Sequence, residues 1–175
     1  MEKIKEYAGV PKKYILIVSV VSLVFAFVYH PLVMSSWSGL LVFCLYLLGA
    51  LAVMTVVHEL LHGVWFKAFT GLVKYGVVIK WKVIPFAFYA SAPKMKIQRN
   101  HFILIALFPQ VLTVVSMLVA LLNPEPFIRY LGLVVMVMNA LGGVSDLWAA
   151  ATLSHYGKEV FVEDIKTGMI VYKLI

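Results

Sequence analysis

A chain of 175 residues that is 63% hydrophobic and 13% charged, with a mean hydropathy of +0.97, carries about half the charge of an ordinary soluble domain. That balance argues against a soluble fold and for an integral membrane protein. The net charge of +7 does not mark a nucleic-acid binder, because the basic residues flank apolar segments and form no stripe with interleaved aromatics. Cys44 is the only cysteine, which excludes an intramolecular disulfide and a thiolate-rich metal site.

In chain order, Lys3, Lys5, Lys12 and Lys13 precede a first apolar run from Tyr14 to Met34. The run is longer than the core of a signal peptide and closes through His30-Pro31 without a small-residue cleavage site, so an uncleaved anchor is expected. Gly39 to Phe69, His101 to Leu122 and Phe127 to Tyr156 also exceed the length of about 18 apolar residues that a spanning helix needs. The second and fourth are long enough to tilt or project. Lipid does not solvate bare backbone, and these runs far exceed the roughly 10-residue strands of a membrane barrel, so they read as helices.

The amino-terminal tail holds four Lys or Arg, the connection from Lys67 to Arg99 seven, and the tail after Tyr156 three, against Arg129 alone on the other side. The excess places both termini and the middle connection in the cytoplasm. Within that connection Val73, Tyr75, Val77, Ile79, Trp81 and Val83 alternate with mostly lysine and small residues, the period of a strand with one apolar face. Pro85 interrupts it, and Phe86 to Ser91 reads as a returning strand, giving a hairpin on the cytoplasmic membrane surface. The tail from Val160 to Ile175 reads as a second hairpin or a strand joining the first. The expected fold is an all-α transmembrane bundle of four helices with a small cytoplasmic-side β-hairpin, one membrane-embedded domain over residues 1–175.

Of eight acidic residues, Glu2, Glu6, Glu125, Glu159, Glu163 and Asp164 fall in tails or loops; only Glu59 and Asp146 fall within spanning segments. An ionised group there costs at least about 2.5 kcal/mol and needs a partner. His58-Glu59-Leu60-Leu61-His62 is H-E-x-x-H. On a helix, residues four apart share a face, so both imidazoles reach one zinc and the glutamate approaches its water. A buried histidine pair would leave Glu59 unexplained, and a bis-histidine haem needs ligands on opposite sides. A catalytic zinc commonly takes three protein ligands. Asp146 is the third candidate, since Glu59 and Asp146 each precede the polar boundary by about ten residues, or about 15 Å. Asn139 is seven residues from Asp146 and aligned with it, with Gly142 and Gly143 between, so neighbouring backbones could approach closely there. Gln110 comes to a similar depth and reads as a hydrogen-bond donor to a metal ligand or to substrate, or as interhelical glue. Pro109 beside it frees a backbone carbonyl nearby.

HELLH within a spanning helix, an intramembrane Asp146 two helices later and a cytoplasmic-side site resemble the site-2-protease-like intramembrane zinc metalloproteases, and more narrowly their small four-helix zincin-peptidase relatives. The resemblance covers Gly39 to Tyr156. It implies a three-helix catalytic core with an accessory first helix, cleaving membrane-embedded protein substrates near the cytoplasmic face. It also implies zinc held by His58, His62 and Asp146, with Glu59 as general base. One departure is plain: NALGGVSDLW, from Asn139 to Trp148, has glycines where the larger family has prolines, and Leu147 follows the acid.

The expected reaction is peptide hydrolysis by zinc-activated water, in a multi-pass protein of the cell membrane whose partners are the bilayer and a substrate's transmembrane segment. The hairpin edge could hold an unwound substrate by strand addition. A metal or proton transporter should continue its polar groups across the membrane, and helix two before Thr55 offers almost none. A catalytically inactive zinc-binding adaptor has no need of Glu59.

Overall fold

The computed structural model describes residues 1–28, 37–80, 84–165 and 168–174. Tyr29 to Met34 of the first apolar run, Trp81 to Val83 of the alternating run, and Lys166-Thr167 and Ile175 of the tail lie outside them. The described elements are β1 (Glu2–Ala8), α1 (Lys12–Val28), α2 (Trp37–Thr70), β2 (Lys74–Lys80), β3 (Ile84–Ser91), β4 (Lys96–Gln98), α3 (Arg99–Leu107), α4 (Gln110–Leu122), α5 (Pro126–Gly142), α6 (Val144–Ser154), β5 (Val160–Ile165) and β6 (Gly168–Lys173).

The apolar segments form helices, as their lengths require. Along α2, Leu48, Leu51, Val53, Val56, Leu60 and Val64 are exposed, a surface suited to hydrocarbon and not to water. Among the described residues, Leu48–Thr70 and Arg99–Leu122 are long and apolar enough to cross a membrane. Pro126–Gly142 with Val144–Ser154, bent by 53°, is a third if the pair is one span.

Two of the four expected helices are broken, and each break has a chemical cause. Pro109 has no N–H to donate to the preceding turn, and the third segment divides there into α3 and α4. The fourth divides at Gly143 into α5 and α6. The expected backbone approach at Gly142 and Gly143 is also corrected. A Cβ on Gly142 would meet nothing within 4 Å, and one on Gly143 would fall 2.0 Å from the Gln110 side chain. The close backbone approach is at Gly132, where a Cβ would lie 2.9 Å from both Ala120 N and Ser116 O. α4 and α5 meet at that glycine.

The alternating run folds as the antiparallel pair β2–β3, paired from Lys74↔Ser91 to Lys80↔Ile84 with a register shift between Val78 and Ile79. The tail also forms a hairpin, β5–β6, but it does not join β2–β3. It pairs with β1 on one side and β4 on the other, in a four-stranded antiparallel sheet of order β1-β6-β5-β4. The fold is therefore mixed α/β, which overturns the all-α four-helix bundle with one hairpin. The lysines of EKIKEYA read as a charged flank, yet in space they belong to β1, an edge strand, where exposed lysines are ordinary. Val160, Val162, Met169 and Val171 are at most 2% exposed, so one face of β5–β6 is covered, while β1 at the edge is largely exposed. That face packs with Phe66 of α2, Ile105 of α3, and Trp148 and Leu153 of α6 in the main core. Each such side chain contributes roughly 1.5–3 kcal/mol on burial. The core thus clamps the sheet onto the ends of the three helices that carry the site.

Candidate metal centre

His58 and His62 lie one turn apart on α2, 6% and 7% exposed, with ring centroids 4.9 Å apart. Asp146 enters from the first turn of α6. Its Oδ2 is 3.1 Å from His58 Nε2 and 3.3 Å from His62 Nε2. These three residues each offer one ligand atom, all within 4.8 Å of one another.

The far side of each ring is held by the protein. His62 Nδ1 donates to the Ile105 carbonyl at 2.9 Å. His58 Nδ1 donates to Asn139 Oδ1 at 2.9 Å. The Asn139 amide is oriented by its other end, where Nδ2 donates to Pro109 O at 3.0 Å and to Thr113 Oγ1 at 2.8 Å. A carbonyl only accepts, so Pro109 O fixes Nδ2 towards itself and Oδ1 towards His58. Both histidines therefore carry a proton on Nδ1, and both Nε2 atoms point to the same place. This is the tautomer that a metal-ligating histidine requires.

Pro109 serves this arrangement twice. In an unbroken helix the N–H of residue 109 would claim the carbonyl of residue 105. Proline has none, so Ile105 O is left for His62. The bend at Gly143 acts similarly. Asn139 lies before it and Asp146 after it, and they reach opposite nitrogens of His58.

Glu59 faces a different neighbour. Its Oε2 accepts from the Ala90 backbone N–H at 2.6 Å, which ties the carboxylate to β3. A cleft of about 800 Å³ opens beside it, lined by Glu59, His62, Phe88, Asp146, Asp164 and Met169 among others. Gln110 does not join the site. Its Oε1 accepts from Thr113 Oγ1 at 3.1 Å, and its Nε2 lies beside Gly143 with no hydrogen bond among the described residues.

Asp164, counted from the sequence only among the acids of tails and loops, lies on β5 in the cleft wall. Burial, the largest cause, pushes its carboxyl up to about 7; His62 opposes the shift, and Asp146 and Glu59 add to it. The signal was present in Val160, Val162 and Asp164, alternate residues of one strand face. Ala90 N and Ile105 O are backbone groups, which no residue type announces.

Two imidazole nitrogens, whose outer hydrogen bonds are made, and a carboxylate form a donor set suited to zinc. A family model described as "Putative zincin peptidase" matches residues 51–161, more than half of the chain, including His58, Glu59, His62, Asn139 and Asp146. No curated protein and no solved structure was found to match the chain. The chain belongs to that family.

Proposed function

We propose that this protein is an intramembrane zinc peptidase of site-2-protease-like organisation, hydrolysing peptide bonds of membrane-embedded substrates near the cytoplasmic face. The observation that carries the reading is the convergence of His58 Nε2, His62 Nε2 and Asp146 Oδ2 on apolar helices, with both Nδ1 atoms already engaged. The three would hold zinc, which when bound supplies a Lewis acid and acidifies water towards a pKa of about 7.

Glu59, next to His58 and facing the cleft, takes the proton of the attacking water and returns it to the leaving amine. Its hydrogen bond to Ala90 N holds the carboxylate in place while the cleft admits water. The same bond shows which edge of β3 faces the site. Alternate residues of a strand direct their N–H groups to the same side, so Phe88 N–H points outward with Ala90 N–H, away from β2. An unwound substrate segment adds to that edge beside Glu59.

The test is cleavage of a library of membrane-spanning segments reconstituted in liposomes with zinc-loaded protein. Wild type should cut a subset, and Glu59→Gln should cut them at least about 100-fold more slowly, the scale of a lost acid–base group. Equal rates in the two proteins would contradict the reading.

A further inference from the structure

Asp164 stands four residues beyond Val160 and two beyond Val162 on β5, and every second residue of a strand faces the same way. Val160 and Val162 are 2% and 0% exposed, so this is the face turned to the core. Asp164 continues it into the cleft wall with Glu59, His62 and Asp146. Glu163, on the other face, accepts from the Tyr172 hydroxyl at 2.7 Å. Asp164 feels its neighbours only through space and makes no hydrogen bond or ion pair among the described residues. It stands outside the set of residues whose ligand atoms converge.

A half-buried carboxylate without a partner is unfavourable. The two lysines that also line the cleft, Lys74 and Lys94, are exposed and remain with solvent. Charge balance gives the same answer. Glu59, Asp146, Glu163 and Asp164 line one cleft; the Tyr172 hydroxyl satisfies Glu163, and of the other three carboxylates, when all are ionised, a divalent ion balances two. The third becomes costly once a substrate excludes water, unless the substrate brings a cation. Phe88, which is exposed, lines the same space, an apolar surface suited to the methylene stem of a long basic side chain.

Resting on the peptidase reading above, we infer that Asp164 is a specificity-determining residue that receives a lysine or arginine side chain of the substrate near the scissile bond. Charged partners of this kind both select and orient a substrate.

The test separates binding from cleavage. Zinc-loaded Glu59→Gln protein in detergent is titrated with fluorescein-labelled peptides, otherwise uncharged, in which one central position is Lys, Met or Glu, scanned along the sequence. At one position Lys should bind about tenfold tighter than Met, the scale of a charged hydrogen bond. Adding Asp164→Asn should erase that ratio, and adding Asp164→Lys should turn the preference to Glu, which a merely structural role would not produce. Equal affinity for Lys and Met at every position, or a Lys preference that survives Asp164→Asn, would overturn the inference. Failure of the peptidase reading looks different: protein with Glu59 and Asp164 intact would bind the Lys peptide selectively and leave it uncut.

Discussion

Pro109 sets the orientation of His62 through a third residue: lacking an N–H, it leaves the Ile105 carbonyl free, and His62 Nδ1 occupies that carbonyl at 2.9 Å. Pro109→Ala restores a competing donor to the turn. Zinc affinity should fall about tenfold, the lower end of what outer hydrogen bonds to metal ligands contribute, measured by competition with a chelator. Unchanged affinity would mean that the histidine does not depend on the break.

Asn139 is fully buried and joins three groups: His58, Pro109 O and Thr113. Asn139→Ala leaves His58 Nδ1 without its acceptor and Thr113 Oγ1 without the Asn139 donor, while Pro109 O keeps the Leu112 N–H. Zinc affinity should fall about 10–100-fold, and the folded state should lose about 1–3 kcal/mol, read from thermal denaturation in detergent. Wild-type metal affinity in this variant would show that the ring is held by other means.

The outer edge of β3 offers a direct comparison. Phe88→Pro removes an outward N–H and the side chain, whereas Phe88→Ala removes the side chain alone. If substrate adds as a strand, the proline variant should cleave at least about tenfold more slowly than the alanine variant, with zinc content equal in both. Equal cleavage would rule out pairing at that residue.

Asp164 makes stability depend on pH in a defined direction. Its carboxyl is pushed from 3.8 to about 7 in the folded protein, so folding favours the protonated form. No penalty exists below the unfolded value; the penalty grows as pH rises from about 4 and is complete above about 7. In zinc-free protein Asp164→Asn should therefore be stabilising at pH 8 by roughly 2–4 kcal/mol and nearly neutral at pH 4. A stabilisation independent of pH would show that the carboxyl is not buried in this way. Bound zinc should shrink the difference, because its positive field favours the ionised form.

The parts of this site that were legible in the sequence are those where a residue type has few other uses at that depth. His58, Glu59, His62 and Asp146 are costly in an apolar segment, so their presence alone implied a shared partner. The β2–β3 hairpin was legible from its alternation. The four-stranded sheet was not, because β1 carries its lysines on an edge and pairs with β6 across almost the whole length of the chain; no local period encodes such a partner. Asn139 and Asp146 were placed on one straight helix face. The helix instead bends at Gly143, and the two residues grip His58 from opposite sides of the bend. Asp164 was lost to an assumption that acids outside the apolar segments face water, although its strand neighbours Val160 and Val162 showed which way it points.

The central claim is that His58, His62 and Asp146 bind one zinc ion while Glu59 acts on water without holding the metal. The most direct measurement is zinc per chain in detergent-purified wild type, His58→Ala, Asp146→Ala and Glu59→Gln. This account predicts close to one equivalent in wild type and Glu59→Gln, with loss in both ligand variants. A wild-type protein that takes up no zinc when the metal is resupplied would contradict it.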